Sequence, residues 1–420
     1  MNSPHPPFTT SLEPDSVPVF LLENGVRVVV RREPGHPAAA LGIWVENGSR
    51  FEAPGESGLA HLLEHMVFKG TRELSVRGLA EAMDRFGSEV DAWTGRELTA
   101  YTLEVLREDA AEALHLLAGM VARPAFPAEE LERERRVVAA EAAMVREDPE
   151  AWLLDDLVSE AWPHHPAGTP VLGDPEVIGA AGRETLADYH RRHYTGGRIL
   201  VAVAGDVDPA SILAQCEAEL GSLPPGERPA EEAPRFAPGG GLRRGPAEQA
   251  HLALCAPAPA RTDEDRFAAG VANHLLGGSV TSRLFRELRE ERGLAYTVYS
   301  ELDTLRDCGL WAAYLACPPE EWERAGELVG DILDRRVAEG FDAAEVERAR
   351  HSLRSGFLRS GETLEQRLAQ DVGDLLYHQR LVPRQERLER LEAVGPREVH
   401  WVLSGSWRER RTLTLLPETL

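Results

Sequence analysis

Apolar and polar positions along this chain follow two rhythms, one of period two and one near 3.6. Residues 17–32 alternate around Asn24-Gly25 and predict a β-hairpin. Residues 38–46 are apolar almost throughout, as a central strand would be. A helix is expected next, between Ser57 as N-cap and Gly70 as stop. Residues 75–86 predict a second helix ending at Gly87. Residues 89–93 and 99–106 predict two strands joined by a short turn at Thr94-Gly95. Helical periodicity then covers 108–122, 128–146, 150–161 and 183–192. A strand is expected at 199–204 and a helix at 209–221. Clustered strands followed by clustered helices point to an α+β fold, a largely antiparallel sheet with helices on one face.

Proline, glycine and charge dominate residues 222–246, which break the pattern and read as a linker. A second series follows: strand 251–256, helices 264–276 and 282–292, strands 295–302 and 308–316. Helices over 320–339, 343–359 and 364–376 and a last strand at 411–416 complete it. Sliding the chain against itself by about 213 positions lays Ala60–His65 on Asn273–Gly278. Two duplicated halves are therefore expected. The second half has His274 in place of His61, but Gly277 and Gly278 in place of Glu64 and His65, and Arg354 near the place of Glu141. It would keep the fold without the chemistry.

That chemistry sits in His61-Leu62-Leu63-Glu64-His65. On a helix, His61 and His65 share a face and can offer two imidazoles to one metal ion. Glu64, three residues after His61, lies on the same side and can reach a water held there. Two neutral histidines and a carboxylate base are what zinc-assisted peptide hydrolysis requires. The order H-x-x-E-H inverts the commoner H-E-x-x-H. Two surface histidines on an amphipathic helix would give the same five letters.

A third ligand is needed. Glu141 stands within the apolar run Val137–Met144, where a carboxylate is costly unless paired or metal-bound. Glu134 lies two turns earlier on the same helix face. It reads either as a second carboxylate beside the metal ligand or as a solvated charge.

These residues resemble the pitrilysin/insulinase family of zinc peptidases, in the short-chain branch that includes the mitochondrial processing peptidases. The similarity runs over residues 17–415. It includes FKGT (Phe68–Thr71), DAWTGRELTAY (Asp91–Tyr101), ERERRVVAAE (Glu132–Glu141), PVLGD (Pro170–Asp174), VAVAGDVD (Val201–Asp208) and the segment Gly277–Ser300. The resemblance implies a zinc endopeptidase acting on peptides or short unfolded polypeptides. One Zn²⁺ per subunit would be held by His61, His65 and Glu141, with Glu64 as general base and Glu134 supporting catalysis. It also implies that Arg289 and Tyr296 hold substrate, although a surface arginine among Glu287, Glu290 and Glu291 beside a packed strand tyrosine is the plainer reading. Asp91, Ala92, Trp93 and Thr94 fall on the family's edge strand, which takes up extended peptide. Many relatives have asparagine at the Asp91 position, and an ionised aspartate cannot donate the same hydrogen bonds. The family is built so that the second-half pair reaches the zinc of an opposing bowl. A chain with two half-units would then work as a homodimer, or as a heterodimer with a paralogue. The alternative function is a non-catalytic or regulatory subunit of such a heterodimer.

The expected organisation is an N-terminal arm at 1–16, disordered or extended, a zinc-binding catalytic half at 17–221, the linker at 222–246, and a substrate-holding half at 247–420. With 420 residues, more than one core is needed. A net charge of −24 excludes a nucleic-acid footprint and suits basic or neutral peptides, or simply solubility. The four cysteines are scattered without zinc-knuckle or C-x-x-C spacing, so a reducing compartment is expected. With no signal-like or membrane-spanning run, the expected location is cytoplasmic, with no membrane partner.

Overall fold

The computed structural model describes residues 17–230 and 232–419. The expected arm at 1–16 lies outside them. In chain order, β1 (Val19–Leu21) and β2 (Arg27–Arg32) form the hairpin, with Gly25 at φ +95° in its turn. β3 (Ala38–Val45), α1 (Leu59–Val67), α2 (Val76–Asp84), β4 (Asp91–Thr94) and β5 (Thr99–Leu106) follow. Next come α3 (Ala110–Ala122), α4 (Ala128–Glu147), α5 (Pro149–Ala161), α6 (Pro175–Ala180), α7 (Arg183–His193), β6 (Ile199–Gly205) and α8 (Pro209–Leu220). The second series runs β7 (Gly239–Gly245), β8 (Ala250–Ala258), α9 (Arg266–Leu276), β9 (Thr297–Thr304) and β10 (Gly309–Cys317). It ends with α10 (Trp322–Glu339), α11 (Ala343–Arg359), α12 (Leu364–Gly373), α13 (Arg384–Glu392), α14 (Pro396–Ser406) and β11 (Arg411–Pro417).

Two compact units result. Among the described residues, the first contains 17–142, 169–230 and 360–376. The second contains 143–168, 232–359 and 377–419. Their sheets have the orders β1-β2-β6-β3-β5-β4 and β7-β11-β8-β10-β9. Setting β1 aside, the two orders superimpose strand for strand, and each has one parallel pair, β2 with β6 and β7 with β11. The duplication and the largely antiparallel α+β architecture are thus visible directly in the topology.

In the first unit, Leu41, Ile43 and Val45 of β3 and Ile199, Val201 and Val203 of β6 face a core shared with α1, α3, α7 and α8. The alternate residues Ala40, Trp44, Leu200 and Ala202 are buried as well. They face the side on which α12 packs across β3 and β6. The second unit repeats this plan. Leu252, Leu254, Trp311 and Ala313 pack with α9, α10, α11 and α14, whereas Ala253, Cys255 and Tyr314 pack with α5. The single helix on the second face explains why these strands are apolar at every position rather than alternating.

Three sequence expectations need correction. The linker at 222–246 holds an edge strand, β7, which pairs through its backbone and so needs no side-chain pattern. The division at 222–246 is not the structural one, because 143–168 belongs to the second unit and 360–376 to the first. Sequence continuity hides an exchange of one helix each way. Ser57 does not cap α1. Gly58 does, at φ +93°. A Cβ on Gly58 would meet Ile178 at 2.8 Å, and one on Gly173 would meet Gly58 itself at 2.2 Å. The PVLGD loop therefore closes tightly over the start of α1, where only glycine fits.

Candidate active site

α1 is amphipathic in a way that separates structure from chemistry. Leu59, Leu62, Leu63 and Met66 are fully buried. Burying each such side chain stabilises the fold by about 1.5–3 kcal/mol. His61, Glu64 and His65 occupy the opposite stripe and remain partly accessible. Glu52, unnoticed in the sequence, anchors the helix start. Its carboxylate accepts from Gly58 N at 2.9 Å and Ala60 N at 2.8 Å. Burial pushes the Glu52 carboxyl up to about 8 against the pull of these amides.

Glu141 comes to α1 from α4. His65 Nε2 is 3.3 Å from His61 Nε2, and Glu141 Oε2 lies 3.7 Å from His61 Nε2 and 3.5 Å from His65 Nε2. Donors held by one tetrahedral zinc at about 2.0–2.2 Å stand roughly 3.3–3.6 Å apart. The triangle has that size. Among the described residues this is the one group of three potential ligands assembled so closely. Burial, followed by the charge of His65, pushes the His61 imidazole down to about 4, so it is neutral and its lone pair is available. Two imidazole nitrogens facing each other at this distance repel unless a proton or a cation lies between them.

Glu134 is buried, and Glu141 is the more accessible of the two, the reverse of what their sequence settings suggested. Glu134 Oε2 is 3.0 Å from His65 Nδ1, and Oε1 is 2.8 Å from Lys69 Nζ. Burial alone would raise the Glu134 carboxyl. The hydrogen bonds and charges of Lys69 and His65 outweigh it and hold the group below its usual range. Lys69, in FKGT, carried no signal in the sequence beyond membership of that motif.

Burial raises the Glu64 carboxyl, and the negative charges of Glu141 and Asp91 add to the rise. A 2.6 Å hydrogen bond from Thr94 Oγ1 to Glu64 Oε2 opposes it. Thr94 ends β4, the edge strand of its sheet, whose pairing with β5 sets Thr94 opposite Thr99 and Asp91 opposite Thr102. Ala92 and Thr94 point toward the core side, and Asp91 and Trp93 point away. Trp93 is 45% exposed and so is not a core residue.

In the second unit, the Arg289 guanidinium lies 4.9 Å from the Phe285 ring centroid and 5.0 Å from that of Tyr296. Segment Phe285–Glu290 forms a π-helical turn, a geometry frequent at functional sites. Tyr296 is 75% exposed and does not pack in the sheet. Glu287 pairs with Arg335 at 2.7 Å.

Residues 27–175 match the family described as Insulinase (Peptidase family M16), and residues 180–353 match the Peptidase M16 inactive domain. An uncharacterized zinc protease of Mycobacterium tuberculosis is 37% identical over 389 residues, covering 91% of this chain and 88% of its own. The uncharacterized zinc protease YmxG of Bacillus subtilis is 32% identical over 399 residues, covering 94% and 97%. The chain belongs to the insulinase family of peptidases, family M16. Among solved structures, a protease from Helicobacter pylori has the same fold, with a TM-score of 0.88 at 21% identity over 96% of this chain and 100% of that one. A peptidase M16 inactive domain from Pseudomonas fluorescens gives 0.89 at 22% identity over 96% and 98%. Among the described residues, no helix is long and apolar enough to cross a membrane.

Proposed function

We propose that this protein is a zinc-dependent endopeptidase acting on peptides or short unfolded polypeptides. The carrying observation is the donor triangle of His61, His65 and Glu141, sized for tetrahedral zinc, on the helix that also presents Glu64. A zinc ion held there would polarise the scissile carbonyl and make water a stronger nucleophile. Glu64 takes the proton from the attacking water and then delivers it to the leaving amide nitrogen. Its raised pKa suits both halves of that exchange. Glu134 fixes the His65 ring so that Nε2, not Nδ1, faces the site. The open edge of β4 receives extended substrate backbone, and Arg289 with Tyr296 steadies the peptide bound at the site of a second subunit.

A non-catalytic subunit is the competing reading. The retention of His61, Glu64, His65, Glu134 and Glu141 in one arrangement speaks against it. Incubation with a mixed peptide pool, with and without a chelator, separates the two. Chelation should abolish cleavage and added zinc restore it. Cleavage that ignores the chelator would defeat the proposal.

A further inference from the structure

We propose that Thr94 is a positioning residue for Glu64, holding one carboxylate oxygen still so that the other is presented to the reacting water. The inference rests on the catalytic reading above and adds a residue and a role to it.

The contact itself is short and specific, 2.6 Å from Thr94 Oγ1 to Glu64 Oε2. Buried hydroxyls lie behind it. Thr94 Oγ1 is 3.4 Å from Thr99 Oγ1, its cross-strand partner. Thr99 is fully buried and donates its proton to the Asn47 carbonyl at 3.0 Å. Asn47 is fully buried as well, and its side-chain oxygen accepts from Tyr189 Oη at 2.9 Å. A hydroxyl has one proton to give. The Thr94 proton goes to Glu64 Oε2, the nearer acceptor at 2.6 Å, rather than to Thr99 Oγ1 at 3.4 Å. The Tyr101 and Tyr194 hydroxyls, 2.8 Å apart and fully buried, close the floor of the same region.

The stiffness of this arrangement matters. Threonine is β-branched and restricted at χ1, and Thr94 sits in a paired strand rather than a loop. Glutamate has three rotatable bonds, and its carboxylate would otherwise swing. Pinning Oε2 leaves Oε1 as the proton acceptor in a fixed direction. Active-site groups held by supporting hydrogen bonds typically lose about 10–100-fold in activity when the support is removed.

The test compares Thr94→Val, which keeps the shape and removes the hydroxyl, with Thr94→Ser, which keeps the hydroxyl. Both are measured beside Glu64→Gln for kcat, KM, zinc content and thermal midpoint. A crystal structure of the zinc-free Thr94→Val protein gives the Glu64 rotamer independently of turnover. The expected result is a roughly 10–100-fold fall in kcat for Thr94→Val, with KM within about twofold and zinc content and thermal midpoint as in the parent. Thr94→Ser should recover kcat to within about threefold, and the Glu64 carboxylate of the valine variant should be displaced or spread over rotamers. Wild-type kcat in Thr94→Val, an equal loss in Thr94→Ser, or loss of zinc or stability in the valine variant would each overturn the role. If Glu64→Gln is inactive while Thr94→Val is unaffected, only this inference fails. If Glu64→Gln is fully active, the catalytic reading fails with it.

Discussion

His65 Nδ1 and Glu134 Oε2 are 3.0 Å apart, and the opposite edge of the same imidazole faces His61 and Glu141. An ionised Glu134 can only accept, so His65 Nδ1 is the donor toward it and Nε2 is the nitrogen left facing the donor triangle. Glu134 thus orients the His65 ring seven residues before the same helix brings Glu141 to the triangle.

Glu134→Gln should therefore weaken zinc binding by about 10–100-fold and lower turnover, while Glu141→Gln, which deletes a ligand, should lose zinc more completely. Competitive zinc titration ranks the two. Equal affinities in both variants and the parent would place the metal elsewhere.

Removal of Glu52 should destabilise the protein without touching the donor set. Its carboxylate satisfies the Gly58 and Ala60 amides at the start of α1. Glu52→Ala strands both and should cost about 1–3 kcal/mol in zinc-free protein, read by denaturant unfolding. An unchanged midpoint would show that water replaces the cap at no cost.

Acid sensitivity should have a contribution from His193. Burial, then the charges of Arg198 and Arg192, pushes its imidazole down to about 3. Its Nδ1 accepts from Arg198 Nη1 at 3.1 Å, which requires a neutral ring. The folded pKa is below the unfolded value of about 6.5, so the unfolded state binds the proton first. Stability from this group is present above pH 6.5 and is lost as pH falls toward 3, by up to about 1.4 kcal/mol per pH unit. His193→Gln should flatten the stability profile between pH 6.5 and 4 relative to the parent. Parallel profiles would contradict the assignment.

Much of this was legible in the sequence, for stated physical reasons. The shared face of His61 and His65 on α1 follows from helical spacing, and the strands were readable because an apolar run of six to nine residues has few other uses. The exchange of α5 and α12 was not legible, because both helices carry ordinary amphipathic patterns that do not say which sheet they cover. β7 was missed because an edge strand of glycine and arginine has no periodicity to detect. The relative burial of Glu134 and Glu141 was misjudged from neighbours in sequence. What decides it is the partner each finds, Lys69 and His65 for Glu134. Thr94 and Lys69 lay within motifs, but their partners are thirty and sixty-five positions away.

On the proposed function, a homodimer would let the Arg289–Tyr296 pair of one subunit serve the site of a second subunit. Glu64→Gln and Arg289→Ala proteins, each weakly active alone, should regain activity when mixed under subunit exchange. A fully active monomer at working concentration, or no recovery after exchange is demonstrated, would exclude the arrangement.

The central claim is tested most directly by zinc stoichiometry and peptide turnover measured on the same samples of parent and Glu64→Gln protein. The account predicts about one zinc per chain in both, with turnover reduced by about 10²–10⁴-fold in the variant, because the ligands remain and the base is gone. A parent protein that cleaves peptide at full rate without zinc, or a Glu64→Gln protein that turns over at the parent rate, would contradict it.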